Sequence, residues 1–417
     1  MSGEQAAGEL MALTERLAFP RRTGSSGNDR AREIIAAELK ARGYAATEEM
    51  FWYKPRRMHV INASILVSLA ITDYCIFAAL WFQLGSPAWL TTLLGTILLS
   101  VLFFQYSMPL EWRMNATVEG TGEPPRNAKR GINIVARLDN PVTGDREPTR
   151  LIVGAHYDSI SLVFPPGLNL FIFLGNTAGI LIVGVLAVIE GIVATASGVM
   201  SPWFRLVIAL LCLLTCCTLV ARLGTKRTNQ SDGAVDNATG CAVLLELAGE
   251  CKNLGAASRF SEIRFVFFDA EEEGLWGSAF HAARHEGGFV RAGTGQACVI
   301  SLDEPGGSGP LVISASFGFP RITRPPRDPD LDLLVDDLVR RAKKGISTWM
   351  PYPASDHAPF AVIGIPSTWI SHACTSANTR HDTMSGVNGE HMNMVLQALL
   401  DFVRSAKKEE PGRHTDT

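Results

Sequence analysis

The stretch LIVGAHYDS, residues 151–159, decides the fold. Its apolar residues run without a polar break and stop at His156, Tyr157 and Asp158. An uninterrupted run of this length marks a strand covered on both faces, as strands of parallel sheets are. The same pattern recurs at 132–138, 262–269, 297–303, 311–315 and 365–371, with 45–53 as a further candidate. Helical periodicity falls between these runs, at 238–252, 275–285, 329–343, 355–363 and 390–407. Two more helices are expected at Glu9–Phe19 and Asn28–Arg42, the second stopped by Gly43. This alternation predicts an α/β domain with a mostly parallel central sheet flanked by helices.

Ligands of such a sheet collect at the carboxyl ends of its strands. Those ends are rich in ionisable residues here. Strand 150–156 ends in His156-Tyr157-Asp158, and strand 262–269 runs into Asp269-Ala270-Glu271-Glu272-Glu273. Strand 297–303 ends in Asp303-Glu304, and strand 365–371 at Ser371-His372. Asp236 and Asn237 open the helix that begins near Ala238. A single strand-end acid is ordinarily solvated or caps a helix. Five such positions on one edge point to a metal, and imidazole with carboxylate suits zinc. The pair Glu271-Glu272 offers two functions, one side chain on metal and the other free as general base.

Outside these segments the composition changes. Residues 60–82 with 87–108, and 168–196 with 203–223, are paired apolar runs. Each approaches the roughly 20 residues that a helix needs to cross a bilayer core. They predict four transmembrane helices in two hairpins, at 58–108 and 167–223. Residues 1–57, 109–166 and 224–408 then form one catalytic domain, and 409–417 a disordered tail. Hairpins return the chain to the side it left. Lys54, Arg56, Arg57, Arg113, Arg222, Lys226 and Arg227 flank the runs, which places that side in the cytoplasm. Asp73 and Glu190, inside the expected spans, are candidate functional groups. The eight cysteines form no disulfide framework, in keeping with a reducing compartment. With 38 basic and 41 acidic residues the chain lacks the basic excess of a nucleic-acid binder.

The motifs resemble the co-catalytic zinc peptidases that include bacterial leucyl aminopeptidases and glutamate carboxypeptidase II. GAHYDS (154–159) is similar to that family's first-ligand strand, and GAVDNATG (233–240) to its bridging-aspartate loop. AEEEGLWGS (270–278) is similar to its double-glutamate motif and VISLDEPG (299–306) to its next ligand strand. SDHAPF (355–360), GIPS (364–367) and RLAFPRRTGSSGNDRAREII (16–35) also have counterparts. The resemblance implies two zinc ions per chain. His156 and Asp303 would bind the first, Glu272 the second, and Asp236 both. Glu271 would be the general base, and Asp158 would orient His156. The family's last ligand is a His, where this chain has Asn378. His381, about one turn later, and His372 are the replacements on offer, with loss of the second zinc as the remaining possibility.

The resemblance thus implies a peptidase, an aminopeptidase first of all, in which Glu271 takes a proton from a zinc-activated water; the paired apolar runs add the membrane anchor. The second hairpin leaves after Ser159 and returns before Asp236, so hydrophobic or membrane-emergent peptides are the expected substrates. A single-zinc enzyme akin to glutaminyl cyclases, and an inactive membrane receptor or scaffold, are the alternatives. His281 and His285, spaced i, i+4, suit a metal but show no third ligand in sequence and read as surface or packing residues. His357, beside Asp356, reads as a residue that supports a ligand or touches substrate.

Overall fold

The structure, a computed structural model, describes residues 3–54, 124, 126–140, 149–164, 201–223, 226–254, 258–290, 297–317, 328–342, 345–350 and 355–404, with scattered positions between 168 and 196. The chain divides into two compact units. One comprises Met1–Tyr53, Trp112–Ser161 and Asn229–Thr417; the other comprises Lys54–Glu111 and Leu162–Thr228.

The first unit is built on an eight-stranded sheet. Its strands are β1 (Thr47–Tyr53), β2 (Lys129–Asp139), β3 (Arg150–His156), β4 (Glu262–Phe268), β5 (Ala297–Leu302), β6 (Leu311–Phe317), β7 (Gly345–Met350) and β8 (Ser367–His372). The order across the sheet is β1-β2-β4-β3-β5-β8-β6-β7. The four central strands, β4, β3, β5 and β8, run parallel. Antiparallel pairs join β1 to β2, β2 to β4 and β8 to β6. The expected mostly parallel sheet is therefore present, with an antiparallel strand on either side of its core. β7 lies where the sequence showed no strand pattern.

Apolar alternation decides how the helices cover this sheet. Helices α1 (Gly3–Leu17), α2 (Ser26–Ala41), α4 (Thr239–Leu254), α6 (Pro329–Ala342) and α8 (Gly389–Arg404) share one core with the strands. Helices α5 (Trp276–Val290) and α7 (Ala358–Val362) pack Ala282 and Phe360 onto the other face, against Val135, Ile152, Val266 and Phe268. Ser25 caps α2, its side chain accepting from the Asn28 amide, and Gly43 ends the segment at φ +78°. Chain order reverses at β3: the chain reaches β4 on one side of it, then crosses to β5 on the other. The carboxyl end of β3 is thus a topological switch point, the usual place for a site in a sheet of this kind.

In the second unit, helix α3 (Pro202–Leu223) is an apolar 22-residue element. Among the described residues, no helix is long and apolar enough to cross a membrane. Side chains at positions 205, 219, 222 and 223 of α3 are not among those described. The expected spans at 60–82 and 87–108, with Asp73, lie outside the described residues, as do most of 168–196 and Glu190.

Candidate metal centre

Parallel register carries the ionisable strand ends to one edge. Ala155 pairs with Phe267 and His156 with Phe268, while Gly154 pairs with Ser301. His156 closes β3, Asp269 follows β4, and Asp303 follows β5. The fourth contributor is the turn Ala234–Ala238 that precedes α4. Gly233 enters that turn at φ +57°, and a Cβ there would sit 2.6 Å from the Ser159 side chain and 2.7 Å from Arg21 Nη1. The Arg21 guanidinium is buried beneath the turn and donates to the carbonyls of Asp232 (2.6 Å) and Gly233 (2.7 Å).

Three side chains converge. His156 Nε2 lies 3.2 Å from Asp236 Oδ1 and 3.2 Å from Asp303 Oδ1. One ligand atom from each of the three lies within 4.8 Å of the others, and all three residues are buried. A tetrahedral zinc with bonds of about 2.0–2.1 Å sets neighbouring donors roughly 3.3 Å apart. The observed spacing fits that edge better than the 2.7–2.9 Å of a charge-assisted hydrogen bond. On the other side of the ring, His156 Nδ1 is 3.2 Å from the carbonyl oxygen of Asp158. A proton on Nδ1 would donate to that carbonyl and leave Nε2 free for a metal.

Asp158 does more than orient His156. Its carboxylate, 3.6 Å from His156 Nδ1, accepts the backbone amides of Glu271 at 3.1 Å and Glu272 at 3.2 Å. It therefore fixes the double-glutamate turn relative to the first ligand. Ala270 and Leu275 in this turn have φ of +58° and +60°, a strained conformation for residues with a Cβ. Asn237 joins the other two segments, donating to the Leu302 carbonyl (2.8 Å) while its Oδ1 accepts the Glu304 amide (3.1 Å).

Sequence reasoning missed Asp382. Its carboxylate accepts the amides of Val235 (2.8 Å) and Asp236 (3.1 Å), holding the aspartate loop from beneath. The signal is the acid of Asn378-Thr379-Arg380-His381-Asp382-Thr383, which follows His381 directly. Burial raises the Asp382 carboxyl to about 7, with the Asp236 charge adding to the shift. Burial also raises Asp236, where Asp303 adds to the effect and His156 opposes it. Glu271 is pushed well above the usual carboxylate range by burial; Glu272 and Asp303 reinforce this against His156. Buried acids crowded this closely call for a cation. The donor set of one imidazole and two carboxylates fits zinc.

The structure does not bring the remaining candidates into this group. Glu272 stands on the same turn as Glu271, outside the three-atom cluster. His381, the expected replacement ligand, is exposed: its Nε2 accepts from Arg380 Nε at 3.3 Å and its amide donates to Thr379 Oγ1. The tight turn from Asn378 to Asp382 directs the Asp382 carboxylate inward and leaves His381 outside. His372 is buried but engaged elsewhere. Its Nδ1 meets the Pro305 carbonyl at 2.9 Å and its ring stacks on His391 at 4.2 Å. His357 is buried beside the Trp369 ring.

A second histidine–carboxylate cluster lies at the β1–α5 contact. His281 Nδ1 and His285 Nε2 each lie 2.7 Å from one oxygen of Glu49. The third partner that the i, i+4 pair lacked in sequence is therefore Glu49. The spacing is that of hydrogen bonds. Burial holds His281 below its usual range, so a neutral ring donates Nδ1–H to the Glu49 carboxylate.

The resemblance to zinc peptidases holds in comparison with known proteins. Residues 220–403 match the model of Peptidase family M28, a segment that contains Asp236, Glu271, Glu272 and Asp303. No curated protein matches the sequence significantly. Among solved structures, an aminopeptidase from Aneurinibacillus sp. strain AM-1 is similar at 16% identity and a TM-score of 0.51, covering 97% of this chain and 95% of that one. A glutaminyl cyclase from Fimbriiglobus ruber is similar to the same degree, with equal identity, TM-score and coverage. At this identity the two structures establish a shared fold. The family match supports a zinc-dependent metallopeptidase acting on peptides.

Proposed function

We propose that this chain is a zinc aminopeptidase attached to a membrane, with Glu271 as its general base. The buried convergence of His156, Asp236 and Asp303 at the switch point carries the reading. A zinc held there supplies Lewis acidity, polarising the scissile carbonyl and making water acidic enough to attack near neutral pH. The chain's own part is positional and acid–base. His156 presents Nε2 because its Nδ1 faces the Asp158 carbonyl. Asp158 fixes the turn that carries Glu271 through two backbone amides. Glu271, its affinity for protons raised by burial, takes a proton from water and passes it to the leaving amine.

Exposed apolar residues support membrane attachment. Among the described residues, every exposed large hydrophobic except Leu333 falls between Val163 and Val220. Trp203, Leu210, Leu213 and Val220 of α3 are all more than half exposed. A surface this apolar is costly in water and suits lipid. The flanking basic residues favour a cytoplasmic catalytic unit.

The test uses full-length protein in detergent, supplied with zinc and a mixture of peptides. Release of free N-terminal residues, absent from Glu271→Gln, is the expected result. Conversion of N-terminal glutaminyl peptides to pyroglutamyl products without hydrolysis would replace this reading with the cyclase one. Extraction of the chain from membranes by alkaline carbonate would remove the attachment.

A further inference from the structure

We infer that the centre is built for one zinc, at His156, Asp236 and Asp303, and that the second position of the two-zinc pattern is not completed in this chain. The inference rests on the peptidase reading but concerns metal stoichiometry alone. The first position is finished: three buried donors within 4.8 Å of one another, the His156 nitrogen 3.2 Å from each carboxylate, and a ring whose Nδ1 faces the Asp158 carbonyl. Three protein ligands and an open place are what a catalytic zinc takes.

The second position fares differently. By the resemblance to two-zinc peptidases it takes, beside Asp236 and Glu272, a donor from the 378–383 turn at the place where Asn378 stands. Asn378 is held at φ +59°, a left-handed conformation that Asn tolerates better than most residues. Its Oδ1 is buried and has no hydrogen-bond partner among the described residues. A neutral amide oxygen is a donor for hard cations such as calcium or magnesium rather than for zinc. Neither histidine repairs the loss. His381 is exposed, and His372 is committed to Pro305 and His391. Glu304 is one of the further acids nearby, with Asp356 and Asp382. Its backbone is tied at both ends, the amide to Asn237 and the carbonyl to His372, and its Oε2 accepts from Ser371 Oγ at 3.3 Å. It stands outside the cluster of converging ligand atoms. The chain thus keeps the position supplied by β3 and β5 and leaves unfinished the one supplied by the double-glutamate and last-motif turns.

Metal content settles the matter on the full-length chain in detergent. The protein is dialysed against nanomolar free zinc and counted by inductively coupled plasma mass spectrometry, with cobalt titration followed by its visible absorption. The wild type is expected to retain one equivalent, and the cobalt band to saturate at one. His156→Ala should retain none. Asn378→His should retain two, while His381→Ala and Glu304→Gln should keep one. Two tight equivalents in the wild type overturn the inference, as does loss of the single equivalent from His381→Ala or Glu304→Gln. Peptide hydrolysis measured on the same samples separates the two readings. Hydrolysis with two zincs removes only the stoichiometry; one zinc without hydrolysis removes only the peptidase assignment.

Discussion

Two histidine–carboxylate clusters occupy this sheet, and their dimensions differ. At the carboxyl end of β3, His156 stands 3.2 Å from Asp236 and from Asp303. At the β1–α5 contact, His281 and His285 stand 2.7 Å from Glu49. Half an ångström separates the edge of a metal polyhedron from a hydrogen bond. Charge makes the same distinction. The first cluster sets two carboxylates against one imidazole, with Glu271 nearby, and is left with excess negative charge. The second sets one carboxylate between two rings that can each donate to it, so both Glu49 oxygens have a partner. Buried excess charge is costly until it is neutralised. The first cluster therefore suits an added cation, and the second suits a clasp between strand and helix.

The largest contrast should come from removing one histidine of each. His156→Ala should release the bound zinc and abolish peptide hydrolysis, whereas His281→Ala should leave zinc content unchanged and lower the melting temperature. Zinc lost equally from both variants breaks the distinction. Next in size, Glu271→Gln should keep the metal and lose about 10²–10⁴-fold in kcat; a variant within threefold of wild type removes Glu271 as the base. A smaller effect is expected from Asp382→Asn, which weakens the acceptor of the Val235 and Asp236 amides. Zinc affinity, read by competition with a chelator, should fall about 10–100-fold, as for other residues that orient a ligand.

The smallest effect concerns pH, away from the metal. Burial, with the neighbouring His391, holds His372 down to about 4. Its ring is neutral in the folded chain and protonated in the unfolded one below about 6.5. Stability from this group is whole above 6.5 and declines as pH falls toward 4. Urea midpoints measured from pH 8 to 4 should show an acid limb that is shallower in His372→Gln; an unchanged limb would show that His372 does not titrate in this way.

The sequence made the sheet legible because strands buried on both faces must be apolar without a break, and β3, β4, β5 and β8 are. It made the meeting of His156 with Asp303 legible for a related reason. In a parallel sheet the strand ends share an edge whatever the loops do, so His156 and Asp303 had to meet. β7 was illegible because an edge strand needs no such run. Asp382 was missed because its work is done through backbone amides of a loop 147 and 146 residues away, and an amide has no sequence signature. The i, i+4 pair of His281 and His285 was visible, but Glu49 lies 232 residues from His281.

The sequence by itself determined the kind of fold, the edge on which ionisable residues would collect, and their types, imidazole and carboxylate, which suit zinc. Periodicity and residue type are local properties, and they suffice for that much. Only the tertiary structure decided which histidines serve. His156, His281, His372 and His381 carry the same ring, but one faces two carboxylates, one a single carboxylate, one a carbonyl and one the solvent. A ligand is defined by what its nitrogen points at, and that is settled by packing between segments far apart in the chain.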